Sequence, residues 1–247
     1  VISKRTGEGK PVAVYKDPET GMEIPTDPGW SYNPGMAAFA PDLRKYDRDI
    51  SSLFFKDHPS FSHIKDKTLM GYLQSEAEAC HPEARIILEK LKFGCKYSRT
   101  RKMYSYYSPD ERCIYISESG LKAEKGTFLH EFGHFLDSCY SSTFSDELRS
   151  AMKKDASKLS DVPEIAPGGK YRSHLQVSDL FSAATNGRLE GTYKHTQDYW
   201  SQPKAREKEA FANLFSIWAA DRKAWREIVE RYFPETALVF LSQISRL

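Results

Sequence analysis

Paired cysteines are missing from this sequence. Its four, Cys80, Cys95, Cys113 and Cys139, stand far apart with no CxxC among them. Nothing here implies a disulfide framework, and buried or idle thiols in a reducing setting are expected. Long apolar runs are missing too: none approaches the ~20 residues that cross a bilayer, so no membrane partner is expected. Charge of one sign is scarce, with 36 Lys and Arg against 34 Asp and Glu for a net +2. This balance supplies no electrostatic footprint for nucleic acid or an anionic membrane surface. There is no internal repeat and no low-complexity tract. No signal peptide opens the chain, which begins at Val1 rather than Met. The expectation is a piece of a larger protein whose targeting signals lie elsewhere.

What is present reads as globular. Hydrophobic residues make up 40% of the 247 and charged residues 28%, enough for one sizeable core or a catalytic domain with an appendage. Residues 1–45 differ from the rest. They carry the turn signals Asp17-Pro18, Asp27-Pro28-Gly29 and Asn33-Pro34-Gly35, and only Pro11 to Tyr15 reads as a strand. This stretch is expected to be an extended arm lying on the main body through Trp30 and Tyr32. From residue 46 to 247 the patterns are those of an α+β domain. Ala84, Ile87, Leu88 and Leu91 share one face of a helix over 82–91. Residues 103–107 and 112–117 read as a hairpin about the turn Ser108-Pro109-Asp110-Glu111. Helices are expected at 123–139 and 145–159. After a Pro/Gly-rich break at 163–169, four more follow at 177–186, 204–220, 222–231 and 235–245.

The chemistry sits in His130-Glu131-Phe132-Gly133-His134, an H-E-x-x-H sequence inside the helix predicted over 123–139. Two imidazoles four residues apart lie one turn apart on one face, so both reach the same ion. Glu131 stands beside them, placed to take a proton from water at the metal and pass it to a leaving amine. Zinc would supply Lewis acidity and lower the pKa of that water. Phe128, Phe132, Phe135 and Leu136 form the apolar face of the same helix.

A catalytic zinc needs a third protein ligand and an open position. Tyr140 stands where an extended H-E-x-x-H-x-x-G-x-x-H motif would place a third histidine, so the ligand comes from further along. Glu209 is the choice. Its helix turns Phe211, Leu214, Phe215 and Trp218 to the core and has small Ala212, Asn213, Ser216 and Ala220 around Glu209. Small residues let two helices approach closely, and Gly133 offers the same relief opposite. Spacing alone equally allows Glu209 to be a solvated carboxylate in a charge-rich stretch, with His195 as third ligand instead. His195 and Tyr199, four residues apart, are also candidate hydrogen-bond donors to an oxyanion. Asp137 is either a group orienting a ligand imidazole or a surface residue. His58, His63, His81 and His174 have no partner at ligand spacing and receive no role.

With these residues in view, the segment Thr127-Phe128-Leu129-His130-Glu131-Phe132-Gly133-His134-Phe135-Leu136-Asp137 resembles the active-site helix of anthrax lethal factor-type metallopeptidases, of the gluzincin group. The likeness extends to residues 108–116, to Glu209-Ala210-Phe211-Ala212-Asn213-Leu214-Phe215 and to Phe233-Pro234-Glu235-Thr236. It implies His130, His134 and Glu209 as zinc ligands and Glu131 as general base. It also implies a tyrosine donor shortly before the third ligand; Tyr199 is the nearest candidate, at a spacing longer than the family's. A second resemblance is shorter. Asp27-Pro28-Gly29-Trp30-Ser31-Tyr32-Asn33-Pro34-Gly35 is similar to the segment closing the Mu-type head domain of phage minor head (head morphogenesis) proteins. Residues 178–183 and 191–200 look like toxin-like extensions of such proteins.

The expected fold class is therefore α+β and zincin-like, mostly helical with a small sheet or hairpin beside the HExxH helix. The expected function is a zinc-dependent endopeptidase of protein substrates, phage-associated and either toxin-like or used in maturation. An extended peptide is expected to pair with the strand at 112–117 as an edge. Expected partners are a protein or peptide substrate and phage capsid or portal proteins, in the virion or in host cytoplasm after delivery. The alternative is a structural head-morphogenesis module with an architectural or decayed metal site. A nuclease toxin is disfavoured by the balanced charge.

Overall fold

The computed structural model describes residues 2–5, 11–16, 23–26, 64–98, 104–122, 126–220 and 223–247. The chain divides into two compact units, Val1–Pro41 and Asp42–Leu247. In the first, β1 (Ile2–Arg5), β2 (Pro11–Lys16) and β3 (Glu23–Thr26) form an antiparallel sheet with β2 in the middle. The expected strand is present, but two more flank it where an extended arm was expected. Ser-Lys-Arg and Glu-Ile-Pro-Thr carry no apolar alternation, so only pairing with β2 marks them as strands. Pro11 opens its strand and Pro25 sits in an edge strand, positions where a missing N–H is tolerated. Trp30, Tyr32 and the turn signals over 27–35 lie outside the described residues.

The second unit is α+β, mostly helical with one small mixed sheet. Its helices are α1 (Lys67–Glu78), α2 (Pro82–Lys90), α3 (Glu118–Lys122), α4 (Thr127–Ala156), α5 (Leu175–Thr185), α6 (Gln197–Trp200), α7 (Ala205–Ala219), α8 (Lys223–Tyr232) and α9 (Pro234–Ile244). Among the described residues, no helix is long and apolar enough to cross a membrane. Local signals explain several boundaries. Asp66 caps α1 by accepting from the N–H groups of Thr68 and Leu69 at 2.9 and 3.1 Å. Pro82 and Pro234 occupy first turns, where no N–H is needed.

The sheet corrects one expectation directly. Its order is β4-β6-β5, with β4 (Gly94–Ser98) parallel and β5 (Tyr106–Ser108) antiparallel to β6 (Cys113–Ser117). The hairpin is there, but the strand taken as an edge is the central one, and β5 is at the edge. Cys113, Ile114, Ile116 and Ser117 are all buried, the near-continuous burial of a strand covered on both sides. β4 escaped notice because it is only Gly94-Cys95-Lys96-Tyr97-Ser98, in which Cys95 and Tyr97 alone carry the alternation.

A second correction concerns α4, which replaces the two helices expected at 123–139 and 145–159. Residues 123–125 lie outside the described set, and the helix starts at Thr127. The stretch between the two expected helices holds neither Gly nor Pro to break the run, and α4 packs continuously along α7 and α9. At its last turn Asp155 accepts from the N–H and hydroxyl of Thr236 at 2.8 and 2.7 Å. It thereby caps α9 from a distant helix.

The core runs along one face of α4. Phe128, Phe132, Phe135 and Leu136 are fully buried there. Phe93 meets Phe132 edge to face at 5.0 Å, and Phe215 of α7 lies 5.5 Å from it. Each such ring contributes about 1.5–3 kcal/mol on burial, so this face sets where α4 lies and how it is rotated.

Candidate metal centre

The start of α4 is held by three neighbours. The Gly126 N–H donates to Glu76 Oε2 of α1 at 2.6 Å, the Phe128 N–H donates to the Tyr72 hydroxyl at 3.1 Å, and Ser216 Oγ of α7 donates to the Gly126 carbonyl at 2.8 Å. Gly126 has φ 109°, a left-handed conformation suited to glycine, and a Cβ there would meet Ser216 Oγ at 2.8 Å. Two turns further on, a Cβ on Gly133 would meet the Ala212 Cα at 2.7 Å. This is the close crossing of two helices expected from Gly133 and the small residues around Glu209. Ala212, Asn213 and Ser216 are wholly buried in it.

That crossing brings Glu209 to the two histidines. His130 Nε2 and His134 Nε2 are 3.1 Å apart, and Glu209 Oε2 is 3.4 Å from each. The imidazole planes stand at 90° to each other. A cation with bonds of about 2.0–2.1 Å in tetrahedral geometry spaces its donors about 3.3–3.4 Å apart, so the three atoms match one face of such a tetrahedron. Glu209 is 2% exposed, and its Oε2 makes no hydrogen bond. A buried carboxylate oxygen without a donor is costly, and a cation at the centre of the triangle would answer it. Without one, protons do part of that work. Burial alone would lower His134, but the Glu209 carboxylate lifts it to about 9. Burial would raise Glu209, but the His134 charge reverses this and holds it well below the ordinary carboxylate range.

Glu131 is also buried. Burial pushes its carboxyl above the usual value, while the charges of His130 and His134 and a backbone hydrogen bond with Tyr107 of β5 pull the other way. Asp137 is not a surface residue. It is buried, makes no hydrogen bond to either imidazole, and acts on His134 through its charge.

His195 and Tyr199 flank the other oxygen of Glu209. The Tyr199 hydroxyl donates to Oε1, and His195 Nε2 lies 3.5 Å from the same atom. Tyr199 is carried by the short helix α6, which Thr196 caps. Its ring stacks on that of His195 with centroids 4.0 Å apart and planes at 19°. Burial and the Glu209 charge push the Tyr199 hydroxyl well above its ordinary value. For His195, burial is outweighed by Glu209 and Asp179, and the imidazole is raised.

Asp179 of α5 was missed in the sequence. It is buried, its Oδ2 lies 3.8 Å from His195 Nε2, and burial together with the Glu209 charge raises it to about 6. A signal existed: Asp179 is the one charged residue in Leu175–Thr185. The remaining histidines keep no functional role. His81 caps α2 and His174 accepts from Trp225 Nε1 at 3.0 Å, while His58 and His63 lie outside the described residues.

All six candidates, His130, Glu131, His134, His195, Tyr199 and Glu209, thus belong to one centre. Comparisons of the chain with protein families, curated proteins and solved structures return no match.

Proposed function

We propose that this chain is a zinc-dependent endopeptidase of gluzincin type with a zincin-like fold, acting on an extended segment of a protein substrate. The observation that carries this reading is the triangle of donors from His130, His134 and Glu209, with sides of 3.1, 3.4 and 3.4 Å. Two imidazoles and one carboxylate are the donor set of a catalytic zinc site with an open fourth position. Zinc held there supplies Lewis acidity to the carbonyl under attack.

The remaining work falls to side chains of the protein. Glu131 takes a proton from the attacking water and returns it to the departing amine. Tyr199 and His195, side by side against Glu209, donate hydrogen bonds to the carbonyl oxygen as it gains charge. β5, at the sheet edge and linked to Glu131 through the Tyr107 backbone, is where an extended substrate would pair. The resemblance of residues 27–35 to the end of a phage head domain supports a phage-associated role, toxin-like or in maturation. Capsid or portal proteins are the proposed partners, in the virion or in host cytoplasm after delivery.

The competing reading, an architectural site in a head-morphogenesis module, needs four protein donors on one ion. His195 faces Oε1 of Glu209 at 3.5 Å rather than Oε2, which favours an open position instead. Metal content by mass spectrometry, paired with turnover of an unfolded protein substrate, tests the proposal. One zinc per chain is expected in the wild type and in His195→Ala, and none in Glu209→Ala. Glu131→Gln should keep the zinc and lose about 10²-fold or more in turnover. A protein that takes no zinc when supplied with it, or a Glu131→Gln variant as active as wild type, overturns the assignment.

A further inference from the structure

The two oxygens of Glu209 have different neighbours. Oε2 faces His130 and His134, whereas Oε1 faces Tyr199 and His195. Beyond His195 stands Asp179, and donor atoms of Asp179, His195 and Glu209 all lie within 4.8 Å of one another. Asp179 is 5% exposed, yet its charge is thinly answered. Oδ2 accepts a hydrogen bond from Asn213 Nδ2 at 2.9 Å, and Oδ1 has no hydrogen-bond partner. Two buried carboxylates close together, each with one oxygen that no hydrogen bond satisfies, call for a cation. The imidazole beside them stacks on Tyr199 and meets Trp200 edge to face at 5.1 Å.

We propose that Asp179, His195 and Oε1 of Glu209 form a second, weaker site for a first-row divalent cation, with Glu209 bridging it to the ion of the first site. The inference rests on the first site being a metal site, because the bridging role divides the Glu209 carboxylate between two ions. One nitrogen and two oxygens accept zinc, manganese or cobalt. Two features make the site weaker. His195 Nε2 stands 3.5 and 3.8 Å from its carboxylate partners, wider than the first triangle, and the side chain is 38% exposed and must be drawn inward. The Tyr199 hydroxyl also occupies Oε1 and must release it. Filling the second site takes His195 away from the reacting carbonyl, so excess metal switches the centre off.

The test is equilibrium dialysis against rising zinc, with bound metal per chain read by mass spectrometry. Wild type should take one ion tightly and a second at higher free zinc. Asp179→Asn and His195→Gln should stop at one. Tyr199→Phe should take the second ion at roughly tenfold lower free zinc, the worth of one hydrogen bond to a charged group. Wild type saturating at one ion overturns the proposal, as does a second ion that persists in His195→Gln. Because His195 is partly exposed, that variant decides the matter even where Asp179→Asn fails to fold. Failure of the first-site reading looks different: the tight ion is then absent from wild type, or survives in His134→Ala.

Discussion

The two faces of α4 do opposite things with the same backbone. One face carries Phe128, Phe132, Phe135 and Leu136 into a core where every ring has aromatic or aliphatic neighbours. The other carries His130, Glu131 and His134 toward Glu209, whose Oε2 is buried and makes no hydrogen bond. The first face stabilises the fold on burial. The second gathers polar groups whose mutual satisfaction depends on a proton or a metal ion. A helix anchored so firmly on one side can hold poorly satisfied polar groups on the other.

That contrast can be broken from either side. Phe132→Ala should produce the largest effect, a loss of about 3–5 kcal/mol in denaturant unfolding, with or without zinc. A loss below about 1 kcal/mol would mean that this face is not the anchor. Next in size is the response of the polar face to metal. Zinc at about a thousand times its dissociation constant should stabilise wild type by about 4 kcal/mol and leave His134→Ala unmoved; a rise of the same size in that variant would place the ion elsewhere. The sign with pH follows from His134, raised in the metal-free protein to about 9. Its contribution to metal-free stability is fully present below the unfolded value of about 6.5 and is lost as pH rises through about 9. Zinc affinity should increase over that interval, because bound metal displaces the proton. The smallest expected change links the faces. Gly133→Ala sets a Cβ 2.7 Å from the Ala212 Cα, which should cost about 1–3 kcal/mol. By prising α7 from α4 it should weaken zinc binding about tenfold or more, and unchanged affinity would show that the close crossing does not set the Glu209 position.

Much of this was legible in the residues, and the legible parts are local. The i, i+4 spacing of His130 and His134 puts both rings on one face wherever a helix forms. The alternation of Phe128, Phe132 and Phe135 says which face turns inward. Pro234 marks a helix start whatever surrounds it. The close contact of α4 with α7 was suggested by Gly133 and the small residues around Glu209, although spacing alone equally allowed a solvated Glu209. The helices read at 123–139 and 145–159 proved to be one because no Gly or Pro separates them, and β6 misled because edge and centre differ only in what lies alongside.

The residues by themselves determined an HExxH helix with an apolar back, a second helix carrying a glutamate among small neighbours, and a mostly helical chain with a hairpin. Only the tertiary structure decided that Glu209 rather than His195 completes the triangle. It alone set His195 and Tyr199 against the opposite oxygen and brought Asp179 in behind them. The division has one physical cause. Spacing along a helix is set by bonds between near neighbours, whereas which oxygen faces which imidazole depends on how helices far apart in the chain settle against each other.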